Sequence, residues 1–306
     1  MRLIRDLNPD PAQHAPTSVA VGNFDGLHRG HQALIRAALD GGRKLESAIM
    51  CFEPPPAVVF RPDRPQPRLL TIRDRFELCR DMGLDLMFML RFNRAFARQS
   101  PERFVREVLV QGAKAQRVVV GHDFRFGARA LGDLPMLHKL GRRYGFEVVC
   151  VDPVCDGEQR ISSTAVRHAL GEGDLIMVER LLGRRYTISG RVLRGRAIGR
   201  GLGFPTVNIR PPRPPALSGV LAVRVSGAGL DGHPGVASLG RRPTVDGREW
   251  LLEVHLFDYD GALYGRHLTV EFTDYLRPEE RFDNLQEMKE QMAVDAEVAR
   301  RALGID

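Results

Sequence analysis

The chain of 306 residues is predicted to form an α/β domain followed by a small antiparallel β-barrel and a terminal helix. Up to about residue 183, strand-like apolar runs alternate with segments of helical spacing, a pattern typical of a parallel sheet covered on both faces. Beyond that point, short β-type runs follow one another with glycine- and proline-rich turns between them, which indicates a barrel. We therefore expect domains at 1–183 and 184–306.

Each element is predicted from its own run of residues. A strand is expected wherever a short apolar run is bounded by turn residues, and a helix wherever apolar residues recur every three or four positions. In the first domain this places strands at 18–22, 48–52, 86–90, 117–121 and 146–151, and helices at 31–39, 73–82, 102–109 and 136–144. In the second it places strands at 186–192, 220–225, 235–239, 250–257 and 267–272, and a final helix at 284–303.

Composition narrows the class of protein. No apolar run approaches the roughly 20 residues that a membrane helix needs, and the polar start of the chain argues against a signal peptide. A cytoplasmic protein without membrane contact is expected. The net charge of +7 comes from scattered arginines, and aromatic residues make up only 7% of the chain, so no nucleic-acid partner is predicted. No obligatory protein partner is predicted either. The four cysteines form no C-x-x-C pair and are expected to be buried free thiols.

A segment rich in glycine and histidine, G-N-F-D-G-L-H-R-G-H at 22–31, follows the first strand of the α/β domain and opens a helix. Glycines let backbone amides approach a phosphate, and a helix N-terminus adds N–H donors. His28 and His31 fall on one side of the first turn, where they can donate hydrogen bonds to a phosphate in the transition state. A capped helix start or a metal site are the alternatives for such a pair. The nucleotide contacts expected here are Gly22, Phe24, Gly26 and Gly30.

A second phosphate-binding segment is expected at 161–167, I-S-S-T-A-V-R, immediately before an apolar helix. A serine or threonine is expected to cap that helix. Arg167 would lie in its first turn on the side of Ser163, and Ser162 and Thr164 would add hydroxyl and amide donors. Together these groups would clamp the β- and γ-phosphates of a nucleotide. The alternative is an ordinary capped helix with a surface arginine.

A glycine-rich loop runs into a strand at 195–208, G-R-A-I-G-R-G-L-G-F-P-T-V-N. The pattern G-x-x-x-x-G-K-[ST] is absent from the chain, so backbone amides and a metal ion must meet the phosphate charge. Thr206 and Asn208 point to one face of an extended segment, and their oxygens suit Mg²⁺ bound with ATP. Gly199, Gly203 and Pro205 are expected at the nucleotide. A turn with two polar residues facing water is the alternative.

Glu253 is a carboxylate within an otherwise apolar strand, W-L-L-E-V-H-L-F at 250–257. Either it points outward as a solvated residue, or it sits at the barrel mouth as the general base for a primary hydroxyl. The residues alone leave both interpretations open.

Taken together, these motifs resemble those of bacterial bifunctional riboflavin kinases and FAD synthetases. The H-x-G-H spacing after a strand is the signature of the nucleotidyltransferase superfamily, I-S-S-T-x-x-R recurs at this distance, and G-H-D-F-R-F-G at 121–127 matches G-x-[DN]-F-x-F-G. F-P-T-V-N at 204–208 is similar to the kinase motif F-P-T-A-N. The departures are Pro55 where the family has a polar residue, Leu221 in place of tyrosine, and Ser238 in place of asparagine.

The resemblance implies a Rossmann-like nucleotidyltransferase domain and a riboflavin kinase-like barrel. Riboflavin would be phosphorylated by ATP to FMN with Mg²⁺ on Thr206 and Asn208 and with Glu253 as the base. FMN would then be adenylylated to FAD, with His28, His31 and Arg167 in catalytic roles and Asp123 contacting nucleotide or flavin. Two other interpretations stay open: an adenylyltransferase whose barrel only binds flavin, and an RNA-binding protein without enzymatic activity.

Overall fold

The computed structural model describes residues 1–7, 14–42, 44–63, 66–194, 204–244 and 247–305, without the side chains of 243, 244, 247 and 248. Its contacts divide the chain into two compact units. The first unit comprises Met1–Gln66 and Ile72–Ser162, and the second comprises Pro67–Thr71 and Ser163–Asp306. By packing, residues 163–182 therefore belong with the barrel. The boundary at 183, which concerns the two functional domains, stays a prediction.

The first unit is built on a parallel sheet of six strands in the order β1-β4-β3-β2-β5-β6. Strand β2 pairs with β3 on one side and β5 on the other, and the strand order reverses there. The strands are β1 (Arg2–Ile4), β2 (Thr17–Val21), β3 (Glu46–Glu53), β4 (Leu86–Arg91), β5 (Ala115–Gly121) and β6 (Glu147–Val151), followed by a hairpin of β7 (Cys155–Asp156) and β8 (Gln159–Arg160).

The helices of this unit connect the strands as the alternation predicts. The main departure is at 102–109, where one α-helical turn continues as a π-helix, Phe104–Gly112. Its buried positions are 104, 105, 108, 109 and 112, so the wider turn keeps one face on the core. The α-helices are α1 (Arg29–Leu39), α2 (Pro56–Phe60), α3 (Ile72–Asp81), α4 (Pro101–Arg103) and α5 (Leu134–Tyr144).

The second unit contains a closed antiparallel barrel of six strands in the order β10-β13-β12-β11-β14-β9, which confirms the predicted barrel. Side chains that alternate along its strands, among them Leu252 and Val254 at 0% exposure, fill the core. The elements are α6 (Ser163–Gly171), α7 (Leu175–Leu182), β9 (Thr187–Leu193), β10 (Thr206–Ile209), β11 (Gly219–Gly227), β12 (Leu230–Thr244), β13 (Gly247–Leu256), β14 (His267–Arg277) and α8 (Leu285–Leu303).

The terminal helix α8 is held to the barrel by apolar packing and by a largely buried ion pair. Ala299 and Leu303 pack against Ala222 and Phe257. At the end of β14, Arg277 donates from Nε and Nη2 to the two carboxylate oxygens of Asp295, at 2.8 and 2.7 Å. The predicted final helix is thus confirmed.

The cysteines differ in part from their prediction. Cys51 and Cys79 are buried, but Cys150 and Cys155 are exposed. Cys150 lies on the sheet's edge strand β6, and Cys155 lies in the short hairpin, so neither is covered by a second layer. All four are free thiols as expected. Within the described ranges, no helix is long and apolar enough to cross a membrane.

Replacing Asp295 with asparagine is expected to destabilise the barrel unit. Asp295 and Arg277 are only 8% and 17% exposed. Removing the charge of Asp295 therefore leaves a largely buried guanidinium without its carboxylate partner. The expected loss is about 3 kcal/mol of unfolding free energy. Urea unfolding followed by the fluorescence of Trp250, the one tryptophan of the chain, measures it. In the control Glu297→Gln, which removes an exposed pair with Arg301, the loss should stay below about 0.5 kcal/mol. Equal losses in both variants would contradict this account of α8.

Candidate active sites

The loop between β2 and α1 has an unusual backbone. Phe24, Gly26 and Leu27 have φ angles of 50°, 88° and 46°, in the left-handed region that disfavours side chains. Burial holds the loop in this conformation, because Phe24 is 0% and Leu27 1% exposed. Phe24 was predicted at the nucleotide, and that contact stays a prediction. Its ring is packed in the core, where it lies 5.2 Å from the ring of His31.

His28 caps the helix that follows this loop. Its Nδ1 accepts a hydrogen bond from the backbone N–H of His31 at 3.3 Å. Because Nδ1 is an acceptor in this bond, the neutral ring carries its proton on Nε2. The rings of His28 and His31 are stacked at 3.7 Å, which confirms that both lie on one side of the first turn. Gly30 permits this, since a side chain there would lie 3.2 Å from the His28 ring.

His31 is kept neutral by its surroundings. Burial lowers its pKa well below 6.5, and positive charge on His28 and Arg75 lowers it further. The side chain as a whole is only partly buried, but Nδ1 is buried and has no hydrogen-bond partner among the described residues. A bound anion would act in the opposite direction and raise this pKa.

Arg75 is a candidate site residue that the sequence analysis missed. It lies on α3 with Cys79 one turn later, and it is 1% exposed. In the described part of the chain, neither Nε nor Nη2 finds a hydrogen-bond partner. A buried cation without a hydrogen-bond partner is costly to keep. Its charge lies close enough to His31 to lower the pKa of that ring. In the sequence, Arg75 could have been found as an arginine on the apolar side of the helix predicted at 73–82.

Asp123 follows β5, the strand next to β2, so both loops leave the same edge of the sheet. Asp123 accepts a hydrogen bond from Arg160 Nη2 at 2.7 Å. Partial burial raises the pKa of Asp123, but the hydrogen bond and charge of Arg160 outweigh it, and the pKa lies below its ordinary value. Asp123 is therefore an anchored, ionised acceptor. Strand order reverses between these loops, which is where α/β sheets bind ligands.

The predicted phosphate clamp belongs to the second unit, apart from Ser162 at the end of the first. Helix α6 begins at Ser163, so Ser162 takes the position of the capping residue, and Thr164 lies exposed in the first turn. Arg167 is one turn on from Ser163, as predicted, and donates from Nε to the carbonyl of Pro67 at 2.7 Å. This bond fixes the orientation of its guanidinium.

On the barrel, strand register brings the predicted kinase residues together. Asn208 on β10 lies directly opposite Glu253 on β13, and Thr206 lies opposite His255. These four side chains share the strand face opposite to the buried Leu252 and Val254, so they lie on the outer surface of the barrel. Asn208 is nevertheless only 8% exposed. The side chain of Val207 points to the other face of the strand.

Glu253 is held by a network of side chains. Arg242 donates from Nε to Glu253 Oε2 at 2.9 Å, from Nη1 to Glu279 Oε1 at 2.7 Å, and from Nη2 to Ser238 Oγ at 2.9 Å. Burial lowers the pKa of Arg242, but its bonds to Glu279 and Glu253 outweigh burial and raise it. Neither Arg242 nor Glu279 was predicted as a site residue from the sequence.

The remaining predicted residues have different outcomes. Gly199 and Gly203 lie outside the described residues. The carbonyl of Pro205 accepts a hydrogen bond from His255 Nδ1 at 3.0 Å, which ties the segment before Thr206 to β13. Of the departures from the family pattern, Leu221 is fully buried in the barrel and Ser238 belongs to the network around Arg242. In the part of the chain that the structure describes, no three His, Cys, Asp or Glu side chains form a metal cluster.

Comparison with known proteins agrees with this two-part geometry. The family model for FAD synthetase matches residues 10–165, and the model for riboflavin kinase matches residues 182–303. A curated bifunctional riboflavin kinase/FMN adenylyltransferase from Escherichia coli K12 is 42% identical over 100% of this chain and 99% of its own length. The chain belongs to this family. A relative of the same description from Pseudomonas fluorescens is 40% identical over 98% of this chain and 97% of its own.

A solved structure also matches along the whole chain. It is described as a macrolide-efflux protein from Streptococcus pneumoniae, with a TM-score of 0.83 and 29% identity over 98% of this chain and 99% of that one. The resemblance stated from the motifs is thus confirmed by the family models and the curated relatives.

The low pKa of His31 predicts how this family member responds to acid. The unfolded ring binds a proton near pH 6.5, whereas the native ring does not. The unfolding free energy should therefore fall below pH 6.5, by at most about 1.4 kcal/mol per pH unit from this residue. Histidine NMR titration should show His31 still neutral at pH 6, and Arg75→Gln should raise its pKa by removing a positive charge. A wild-type His31 that titrates at or above 6.5 would contradict the assignment.

Proposed function

We propose that this chain makes FAD from riboflavin in two ATP-dependent steps. The barrel unit phosphorylates riboflavin to FMN, and the α/β unit carries the catalytic histidines that adenylylate FMN with release of pyrophosphate. One observation supports the proposal: Thr206, Asn208 and Glu253 share one face of the barrel, and the stacked His28 and His31 follow a central strand of the α/β sheet. Both sets lie within a chain that matches curated bifunctional enzymes over its whole length.

In the adenylylation step, an oxygen of the FMN phosphate attacks the α-phosphorus of ATP. The bond from that phosphorus to the pyrophosphate oxygen breaks as the new bond forms, so no protein nucleophile is needed. The Nε2–H of His28 and the neutral ring of His31 donate to the phosphate oxygens as charge develops on them. Ser163, Thr164 and Arg167 retain the departing pyrophosphate, which consists of the β- and γ-phosphates and carries their negative charge.

In the kinase step, Glu253 accepts the proton of the ribityl 5′-hydroxyl as that oxygen attacks the γ-phosphorus of ATP. Thr206 and Asn208 present hydroxyl and amide oxygens on one face beside this carboxylate, a donor set that fits Mg²⁺. Magnesium usually needs only one or two protein oxygens with substrate phosphates, so this pair is sufficient. When bound, Mg²⁺ would neutralise charge on the ATP phosphates.

The substrates also indicate the cellular location of the protein and its ligands. ATP and free riboflavin are metabolites of the cytoplasm, and we place the enzyme there. The proposal requires no nucleic acid, membrane or obligatory protein partner. Riboflavin, FMN, FAD and ATP are its ligands.

Glu253→Gln is expected to remove riboflavin phosphorylation and leave FMN adenylylation intact. Glutamine keeps the size of the side chain but cannot accept the hydroxyl proton. A fall of about 10³-fold in kcat for FMN formation is expected. Assays of FMN formation from riboflavin and of FAD formation from FMN measure the two activities separately. Loss of both activities in a folded variant would contradict the assignment.

His31→Ala should give the opposite pattern. Adenylylation of supplied FMN should fall by at least about 10²-fold, because a donor to the developing charge is lost. FMN formation from riboflavin should stay at the wild-type rate. The second activity serves as a check of folding in the same sample. If FMN formation fell equally, the assignment of His31 to adenylylation alone would be wrong.

A further inference from the structure

The carboxylate of Glu253 is held at one of its two oxygens. Arg242 Nε donates to Oε2, while no hydrogen bond to Oε1 is found among the described residues. Glu253 and Arg242 are only 31% and 35% exposed, so both lie partly sheltered on the barrel surface. A carboxylate fixed in this way presents its second oxygen in a defined direction.

The guanidinium that holds Glu253 is itself fixed by its other two arms. Glu279 and Ser238 accept from Nη1 and Nη2, and Ser238 also donates to Glu279 at 3.1 Å. A guanidinium is planar, so three contacts at different nitrogens determine both its position and its plane. An isolated surface ion pair holds a side chain weakly, whereas a network of several charges restrains it much more.

The backbone is shaped to admit this network. Ser238, Gly240 and Arg242 lie on one face of β12, and Ser238 is directly opposite Glu253 on β13. A side chain at Gly240 would collide with the carboxylate of Glu279. The glycine therefore leaves the space through which Glu279, from the segment after β14, reaches the guanidinium.

We infer that Arg242, held by Glu279 and Ser238, is a positioning residue that orients Glu253 for proton abstraction from riboflavin. The inference rests on the proposed role of Glu253 as the base. Arg242 acts through Glu253 rather than on the substrate, since its three contacting nitrogens are all engaged with protein groups. Its loss should slow the chemical step and leave substrate binding unchanged.

The test compares Arg242→Gln, Arg242→Lys and Gly240→Ala in riboflavin kinase assays. Arg242→Gln should lower kcat on the order of 10- to 100-fold, a loss typical of a misplaced reacting group, with KM for riboflavin and ATP within about twofold. Lysine keeps one charged donor and should restore part of the rate. Gly240→Ala should lower kcat with the same unchanged KM values, because it displaces Glu279.

A double-mutant cycle with Glu253→Gln separates positioning from a structural role. In the Glu253→Gln background, Arg242→Gln should cause no further fall in the residual kcat, because the base that it orients is already gone. Arg210→Gln is the matched control, since Arg210 forms an exposed ion pair with Glu249, which lies on β13 like Glu253. This variant should keep the wild-type kcat. Urea unfolding followed by the fluorescence of Trp250 on β13 reports that the barrel of each variant is folded.

Three results would overturn the inference. Additive losses in the cycle would mean that Arg242 acts independently of Glu253. A raised KM for ATP at unchanged kcat would make Arg242 a nucleotide contact, and a wild-type kcat in Arg242→Gln would remove its role. If Glu253→Gln alone kept the wild-type rate, the proposed function of Glu253 would fail instead.

Discussion

The α/β unit depends on the position of strand β2. All five of its residues are buried, and it is hydrogen-bonded to parallel strands on both sides. Strand order reverses at β2, so the loop that leaves it opens where helices on the two faces diverge. That loop ends in the His28 cap and the stacked His31, and β5 delivers Asp123 to the same edge. The chemistry of this unit follows from where a single buried strand ends.

In the barrel, strand register determines where the candidate kinase side chains lie. Antiparallel pairing places Asn208 opposite Glu253, and the alternation that buries Leu252 and Val254 turns both polar side chains outward. A shift of one residue would bury the carboxylate in the core. Neither unit has a phosphate-binding lysine loop. The candidate site residues are instead placed by a helix cap at His28 and by the network around Arg242. Arg75 adds a buried positive charge.

Local patterns predicted the elements and motifs, but not the groups that act across the fold. Strand alternation placed the main sheet and barrel strands, and His28, His31 and Glu253 were visible because each stood in a short motif. Arg75 was missed because an arginine within an amphipathic helix normally points to water. Glu279 was missed because its partner Arg242 is 37 positions away in the chain. The π-helix and the exposed Cys150 depend on packing, which no local run of residues encodes.

The most direct test of the account is a time course of flavins formed from riboflavin and MgATP by the full chain. If two separate sites act in order, FMN should appear first, without a lag. FAD should then appear after a lag. Supplied FMN should be converted to FAD with no lag. FAD formation without FMN at any time, or FMN that is never adenylylated, would contradict the two-site account.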